Sequence, residues 1–390
     1  MPPNQALLGK CKNFPTLIAA KLSSMQKAHS PWKRRRFLAA SAVAGTGALA
    51  FGFPAIHIPK PKDKLGVALV GLGYYSTDLL APSLQLTKHC YLAGVVTGTP
   101  SKAEAWMKKY GIPQKNVYNY DNFDTIADNP DIDVVYVVLP NSMHHEYVLR
   151  AAKAGKHVWC EKPMAVTAQE CREMIKACSD NKVKLAIGYR MQHEPNTREI
   201  MRYGKEKTFG QVRLINVAAG YREGRAGHWK VQKSYGGGAM MDMGVYSLQG
   251  ARYTAGEEPI AVTAQHFSYR PELFKDVDET TTFQLEFPSG AVASCQTSHG
   301  INMNYLYANA DQGWFRLDPF SAYSGVKGMS SKGPIDLPAG NEQATQMDDD
   351  ALAILQNKAL IAPGEEGLRD MIIVEAIYKS AAKNGERILL

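Results

Sequence analysis

Cysteine is scarce in this chain and carries no pattern. There are six in 390 residues, with no CxxC pair and no His/Cys positions at zinc-ligand spacing, which excludes a disulfide scaffold and offers no metal site. Cys11 lies in a segment expected to be removed; Cys90, Cys160, Cys171, Cys178 and Cys295 remain, odd in number, and read as small apolar fillers of a chain folded under reducing conditions. Acidic residues are missing from residues 1–50, which hold Lys10, Lys12, Lys21, Lys27, Lys33, Arg34, Arg35 and Arg36. The whole net charge of +8 therefore sits there, the rest of the chain is balanced, and a nucleic-acid partner loses its compositional support. The uncharged run from Phe37 to Ala50 is too short and too weakly apolar to span a membrane.

What is present at the start fits export. Lys33-Arg34-Arg35-Arg36-Phe37-Leu38 resembles a twin-arginine signal, and Ala48-Leu49-Ala50 supplies a small-x-small cleavage pattern. Residues 1–50 are accordingly expected to be a signal peptide, with Met25 as an alternative start. The mature chain would begin near Phe51, reach the periplasm folded, and keep no membrane anchor after cleavage. Residues 51–64 read as an arm in which Pro54, Pro59 and Pro61 favour an extended path.

With 45% hydrophobic and 21% charged residues, the remaining length predicts two soluble globular domains. Leu65 to Val70 is a continuous apolar run, suited to a strand buried on both faces, and Gly71-Leu72-Gly73-Tyr74-Tyr75-Ser76 follows at once. In this GxGxxS turn Gly71 permits the tight bend and Gly73 lets backbone amides approach a pyrophosphate. Further apolar strands near Leu92–Val96, Asp133–Leu139, His157–Cys160 and Val183–Gly188 alternate with helical stretches, so residues 65–188 read as a parallel, doubly wound Rossmann sheet.

One more absence bears on the cofactor. No Asp or Glu follows the second strand, where an acid would grip the ribose hydroxyl of NAD; Thr97-Gly98-Thr99-Pro100-Ser101-Lys102 offers hydroxyls and a cation instead. NADP is therefore the expected cofactor, with Thr97 and Lys102 as contacts. The Leu139-Pro140-Asn141 exit belongs beside the nicotinamide end, with His144 in the following helical turn. Lys162, at the carboxyl end of the strand His157–Cys160, is delivered to the mouth of the sheet's cleft.

Beyond Tyr189 the pattern changes to period two, as in Val212–Val217, Thr281–Phe287 and Ala291–Cys295, with a hairpin signal at Pro288-Ser289-Gly290. Residues 189–390 are expected to form an α+β domain around a large, mostly antiparallel open sheet. Asp242 and Tyr246, four residues apart after the Gly236-Gly237-Gly238 run, would share one face of a helix. Residues 324–350 read as loops, and an amphipathic helix begins near Pro363.

Gly71-Leu72-Gly73, Leu139-Pro140-Asn141 with His144, Ala154-Gly155-Lys156-His157, Glu161-Lys162-Pro163-Met164-Ala165 and Gly188-Tyr189-Arg190 together resemble the Gfo/Idh/MocA oxidoreductase family, and within it the exported glucose-fructose oxidoreductase type. The resemblance implies that the helix of Asp242 and Tyr246 faces Lys162 across a cleft, and that these three are catalytic. It adds Tyr74, Gly98, Glu161 and Arg190 to the cofactor contacts. It places Tyr189, Trp229 and Lys230 beside the sugar with the catalytic trio; Lys230 stands where the family has Arg, which weakens any bidentate contact. Tyr246 would be the proton shuttle, Lys162 would favour its ionised form, and Asp242 would orient the group or carry the proton onward. The activity implied is hydride transfer from an aldose, giving a lactone, to a second sugar through retained NADP, in a homo-oligomer, dimer or tetramer. Alternatives are an aldose dehydrogenase using free NADP and an NAD-dependent glycosidase of the same superfamily.

Overall fold

The computed structural model describes residues 62–338 and 340–390. The arginine pair, the cleavage pattern and the proline-rich segment Phe53 to Pro61 lie outside the described residues.

The first sheet is built from β1 (Leu65–Val70), β2 (Cys90–Val96), β3 (Val117–Tyr118), β4 (Val134–Val137), β5 (His157–Cys160) and β6 (Leu185–Ile187). Its strand order is β3-β2-β1-β4-β5-β6, and every pairing is parallel. β1 and β4 are buried along their whole length, and Leu65–Val70 and Val134–Val137 hold no charged residue, as strands covered on both faces require. The order reverses between β1 and β4, which opens a crevice outside the carboxyl ends of these strands. Four loops converge there: Gly71–Tyr75 after β1, Pro140–Asn141 after β4, Glu161–Lys162 after β5 and Gly188–Arg190 after β6.

Helices α1 (Ala81–Leu84), α2 (Pro100–Tyr110), α3 (His144–Lys153) and α4 (Ala168–Asp180) connect the strands. The Thr167 side chain caps α4 by accepting from the Glu170 amide at 3.1 Å. α2 ends at Gly111, whose φ of +69° suits glycine.

After α5 (Pro195–Glu206) and α6 (Val245–Ala255) come the elements of the second sheet, of which β7 (Val212–Gly220) precedes α6. The others are β8 (Ala261–Phe267), β9 (Thr280–Glu286), β10 (Val292–Ser298), β11 (Met303–Ala310), β12 (Gly313–Leu317), β13 (Gly328–Ser330), β14 (Gly333–Ile335) and β15 (Ile388–Leu389). The order is β14-β13-β12-β11-β7-β10-β9-β8-β15, antiparallel except for the central β7–β10 pair. Burial alternates along β9 and β10, the period-two signature of a sheet with one covered face. The hairpin between β9 and β10 closes with the Gly290 amide on the Phe287 carbonyl at 2.9 Å.

Two local expectations need correction. Residues 324–350 are not all loop: they contain β13, β14 and the start of α7 (Glu342–Leu355), capped by the Asn341 side chain on the Ala344 amide at 2.8 Å. The buried side of α7 mixes Ala344, Met347 and Ala351 with Glu342, Gln343, Gln346 and Asp350, so polar residues interrupt the apolar stripe that marks a core-facing helix in sequence. The segment leading to α6 is also unlike a regular helix. Met240–Gly244 forms a wide π-type turn, entered from Gly238 at φ +113°. α8 (Gly364–Ala382) begins where the sequence places it. No described helix is long and apolar enough to cross a membrane.

Candidate active site

The turn after β1 is shaped by what its glycines omit. Gly71 has φ +90°, and a Cβ there would meet the Val138 carbonyl at 2.4 Å. At Gly73, by contrast, nothing lies within 4 Å of an added Cβ. That open flank of backbone suits a pyrophosphate. Ser76, the third position of the motif, is buried and donates its hydroxyl to the Gly71 carbonyl at 2.6 Å, locking the turn from inside. Lys102, on α2, brings its ammonium back to the Leu72 carbonyl at 3.1 Å, beside the same turn. The Thr97 side chain accepts from the Thr99 amide at 3.2 Å at the end of β2. Gly98 leaves room for the Tyr120 ring, and Tyr74 is exposed at the rim. These residues fit a dinucleotide.

Lys162 leaves β5 into the crevice with 12% of its side chain exposed. Its ammonium donates to the Asp242 carbonyl at 2.8 Å, stands 3.7 Å from the Asp242 carboxylate and lies 4.5 Å from the centre of the Tyr246 ring. Burial alone would lower the Lys162 pKa, but Tyr246, Asp242 and Glu161 outweigh it and raise it. The lysine therefore stays a cation.

Asp242 is the hub of the site. Its Oδ2 accepts from Lys230 Nζ at 2.7 Å, from the Tyr221 hydroxyl at 3.0 Å and from His299 Nε2 at 3.1 Å. Burial works to raise the carboxyl pKa, yet Lys230, His299 and Lys162 hold it well below the usual range. A group so firmly ionised orients its neighbours and is a poor proton carrier. Lys230 makes a point-charge contact here, as a lysine in place of arginine would. The Trp229 ring lies 5.7 Å from the same ammonium.

Arg190 follows β6 and is fully interior, at 2% exposure. Its guanidinium lies 4.9 Å from the Tyr246 ring centre and 4.5 Å from that of Tyr323. Nε donates to the Tyr246 hydroxyl at 3.2 Å, Nη1 to Glu342 at 2.5 Å and to the Ala322 carbonyl at 3.1 Å, and Nη2 to the Ser321 carbonyl at 2.6 Å.

Several residues expected at the cofactor or substrate have protein partners instead. His144 is buried, with Nδ1 2.9 Å from the Pro163 carbonyl and Nε2 2.9 Å from the Leu139 carbonyl; burial lowers its pKa, so the neutral ring donates to one of the two, and both nitrogens face protein carbonyls at the β4 and β5 exits. Glu161 turns inward, accepting from the Tyr136 hydroxyl at 2.6 Å, and burial raises its pKa. Asn141 donates to the Gly236 carbonyl at 2.7 Å, tying the β4 exit to the glycine run. Leu139 remains in the wall, 9% exposed. Tyr189 points away from the crevice: it is 2% exposed, and its charged surroundings are Asp370 and Glu366 of α8. Tyr189, at φ −89° and ψ 64°, bends the chain into the 3₁₀ turn Arg190–His193, and of the two side chains it is Arg190 that reaches Tyr246.

Tyr221, His299, Tyr323 and Glu342 were not found by sequence reading. Tyr221 and His299 each stand just past a strand end, β7 and β10. The parallel pairing that opposes Gly220 to Ser298 sets them side by side, with ring centres 5.2 Å apart.

A model of an oxidoreductase family with an NAD-binding Rossmann fold matches residues 65–189, and the Gfo/Idh/MocA C-terminal domain matches residues 197–317. The D-xylose 1-dehydrogenase [NADP(+)] of Haloarcula marismortui is 27% identical over 325 residues, 80% of this chain and 90% of that protein. The D-glucoside 3-dehydrogenase of Escherichia coli is 26% identical over 350 residues, 84% of this chain and 97% of that protein. Among solved structures, the aldose-aldose oxidoreductase of Caulobacter crescentus in complex with glycerol superposes with a TM-score of 0.81 at 39% identity, covering 84% of this chain and all of that one. Glycine turn, buried lysine, ionised aspartate and tyrosine are thus carried on a shared two-sheet frame, and the chain belongs to the Gfo/Idh/MocA family of oxidoreductases.

Proposed function

We propose that the protein passes hydride from an aldose, oxidised at its anomeric carbon to a lactone, to a second sugar on one tightly held NADP, and that it does so as a periplasmic homo-oligomer. The observation that carries this reading is the convergence of Lys162, Asp242 and Tyr246 at the mouth of the parallel sheet. The likeness to an aldose-aldose oxidoreductase supports the choice of substrates. Bound, the nicotinamide supplies the hydride acceptor and donor.

The chain's own residues divide the remaining work. A carbinol must lose its hydroxyl proton as its C–H bond breaks, and a carbonyl must gain one in reverse. Lys162 is held as a cation and Asp242 as an anion, so neither exchanges a proton readily near neutrality. Tyr246 is the remaining group of the trio, and it takes and returns the proton. Lys162 polarises the substrate oxygen; Asp242 fixes both lysines, and Trp229 offers a flat apolar face to the sugar ring. Lys102 and Thr97 favour the 2′-phosphate of NADP, as does the lack of an acid after β2.

Purification tests the reading. The protein should keep equimolar NADP through gel filtration, and incubation with an aldose should yield lactone and a reduced sugar with no nucleotide added. Deleting residues 51–61 should make activity depend on supplied NADP. A protein that emerges empty and turns over only with NADP in solution is an aldose dehydrogenase with an exchanging cofactor, and the two-sugar cycle fails. For location, changing both Arg34 and Arg35 to Lys should hold the precursor in the cytoplasm; undiminished export refutes the twin-arginine assignment.

A further inference from the structure

Two cations approach Tyr246, and they do so differently. Lys162 lies over the ring and gives its hydrogen bond to the Asp242 carbonyl. Arg190 reaches the oxygen: its Nε–H on the Tyr246 hydroxyl, at 3.2 Å, is the one side-chain hydrogen bond to that oxygen among the described residues. A buried guanidinium needs a counterion and acceptors for its donors, and Glu342 with the Ser321 and Ala322 carbonyls already provides them on the two outer nitrogens. The Nε–H needs an acceptor as well, and the Tyr246 hydroxyl is the one it has, so the guanidinium is anchored by Glu342 and the two carbonyls on its outer nitrogens and presents its inner donor to the phenol. Arginine does not lose its proton in a protein, so it can hold the phenol oxygen without ever competing for the proton in transit. A hydroxyl that accepts from Nε–H keeps its own hydrogen free for a substrate oxygen, and the same donor stabilises the phenolate once that hydrogen has gone.

We infer that Arg190, held by Glu342 of α7, is a positioning residue that sets the proton affinity and orientation of Tyr246. The inference rests on the proposal that Tyr246 shuttles the proton. The other ionisable groups around Tyr246 are Lys162 and Glu161 at the β5 exit, Asp242 on its own segment, Tyr75 after β1 and Tyr323 from the loop before β13. None of them donates a hydrogen bond to the Tyr246 oxygen, and Glu342 acts on it only through Arg190.

The two ends of the Arg190–Glu342 pair make opposite predictions. In the oxidative direction, measured as single turnover with D-glucose and NADP, the rate should rise with pH as Tyr246 becomes able to accept a proton. Glu342→Gln leaves the guanidinium less neutralised and should move that rise to lower pH, by roughly half a unit. Arg190→Gln combined with Glu342→Gln removes cation and anion together, so neither is left buried alone, and should move the rise to higher pH by about one unit or more. Turnover at neutral pH should then fall about 10-fold with KM for the sugar little changed, and Arg190→Lys should recover part of it. A purely structural role would lower the rate by one factor at every pH or raise KM. If both variants, folded by near-ultraviolet circular dichroism, keep the wild-type position of the rise, Arg190 does not tune Tyr246. Tyr246→Phe separates the two readings. Should it retain turnover across the pH range, the shuttle assignment itself is wrong; should it lose turnover while the Arg190 and Glu342 variants keep the wild-type profile, only the positioning role falls.

Discussion

Replacing Asp242 by Asn keeps the shape of the hub and removes its charge. Two lysines then share the site without their common anion: Lys162 at 3.7 Å from Oδ1 and Lys230 at 2.7 Å from Oδ2. Removing one partner from a buried ion pair costs roughly 3–5 kcal/mol. Lys230 keeps 23% of its side chain exposed, so solvent relieves part of that repulsion, and a loss of about 2–3 kcal/mol is expected. Urea titration followed by near-ultraviolet circular dichroism measures it, as a fall in midpoint with an unchanged slope.

The pH dependence gives the sharper test. The folded Asp242 carboxyl lies well below its usual range because Lys230, His299 and Lys162 overcome the effect of burial. Its stabilisation is therefore complete above the unfolded carboxylate value of about 3.9 and is lost as pH falls through the lower folded value. The stability gap between wild type and Asp242→Asn should stay level across neutral pH and narrow below about pH 4. A gap that is absent at neutral pH, or that stays undiminished in acid, would refute the picture of an ionised hub.

Lys162→Met should cut turnover by about 100-fold or more while nucleotide binding, read by fluorescence quenching, persists. Lys102→Ala should weaken NADP far more than NAD, by about 1.5–3 kcal/mol, as for a lost charge-assisted bond; equal losses in a titration of both nucleotides would mean that Lys102 does not meet the phosphate. Gly71→Ala forces a Cβ to within 2.4 Å of the Val138 carbonyl at a φ of +90°. It should lower the melting temperature and abolish nucleotide binding together, whereas Gly73→Ala, with nothing within 4 Å of its Cβ, should impair nucleotide binding and leave the melting temperature of the nucleotide-free protein almost unchanged.

The nucleotide turn and Lys162 were legible because their geometry is local: a strand, a bend and a following helix are written in consecutive residues. Asp242 and Tyr246 were legible as a pair even though the wide turn at Met240–Gly244 replaces regular helix there. The partners of these residues were not. Tyr221 and His299 meet on Asp242 only because β7 and β10 run side by side in the same direction, a pairing no residue spacing announces. Reading Arg190 and Tyr189 as one dipeptide motif assigned both to the ligand, although Arg190 meets Tyr246 and Tyr189 is buried beside Asp370 and Glu366. His144 differs for a related reason: a polar residue at a strand exit is expected at the ligand, and its ring nitrogens instead face two carbonyls of the neighbouring loops.

α7 has a consequence for how this protein comes off the ribosome. Glu342 holds Arg190, Gln346 donates to the Tyr136 hydroxyl at 3.2 Å, and the Asp348 carboxylate accepts the amides of Lys88 and His89 at 2.8–3.0 Å just as β2 begins. One late helix thus braces three points of the amino-terminal half. A nascent chain halted before residue 340 could pair β1 through β6, but it would leave Arg190 without its anion and the start of β2 without its clamp. Synthesis of the parallel sheet therefore runs far ahead of the bracing of Arg190, Tyr136 and the start of β2, which waits until α7 has emerged.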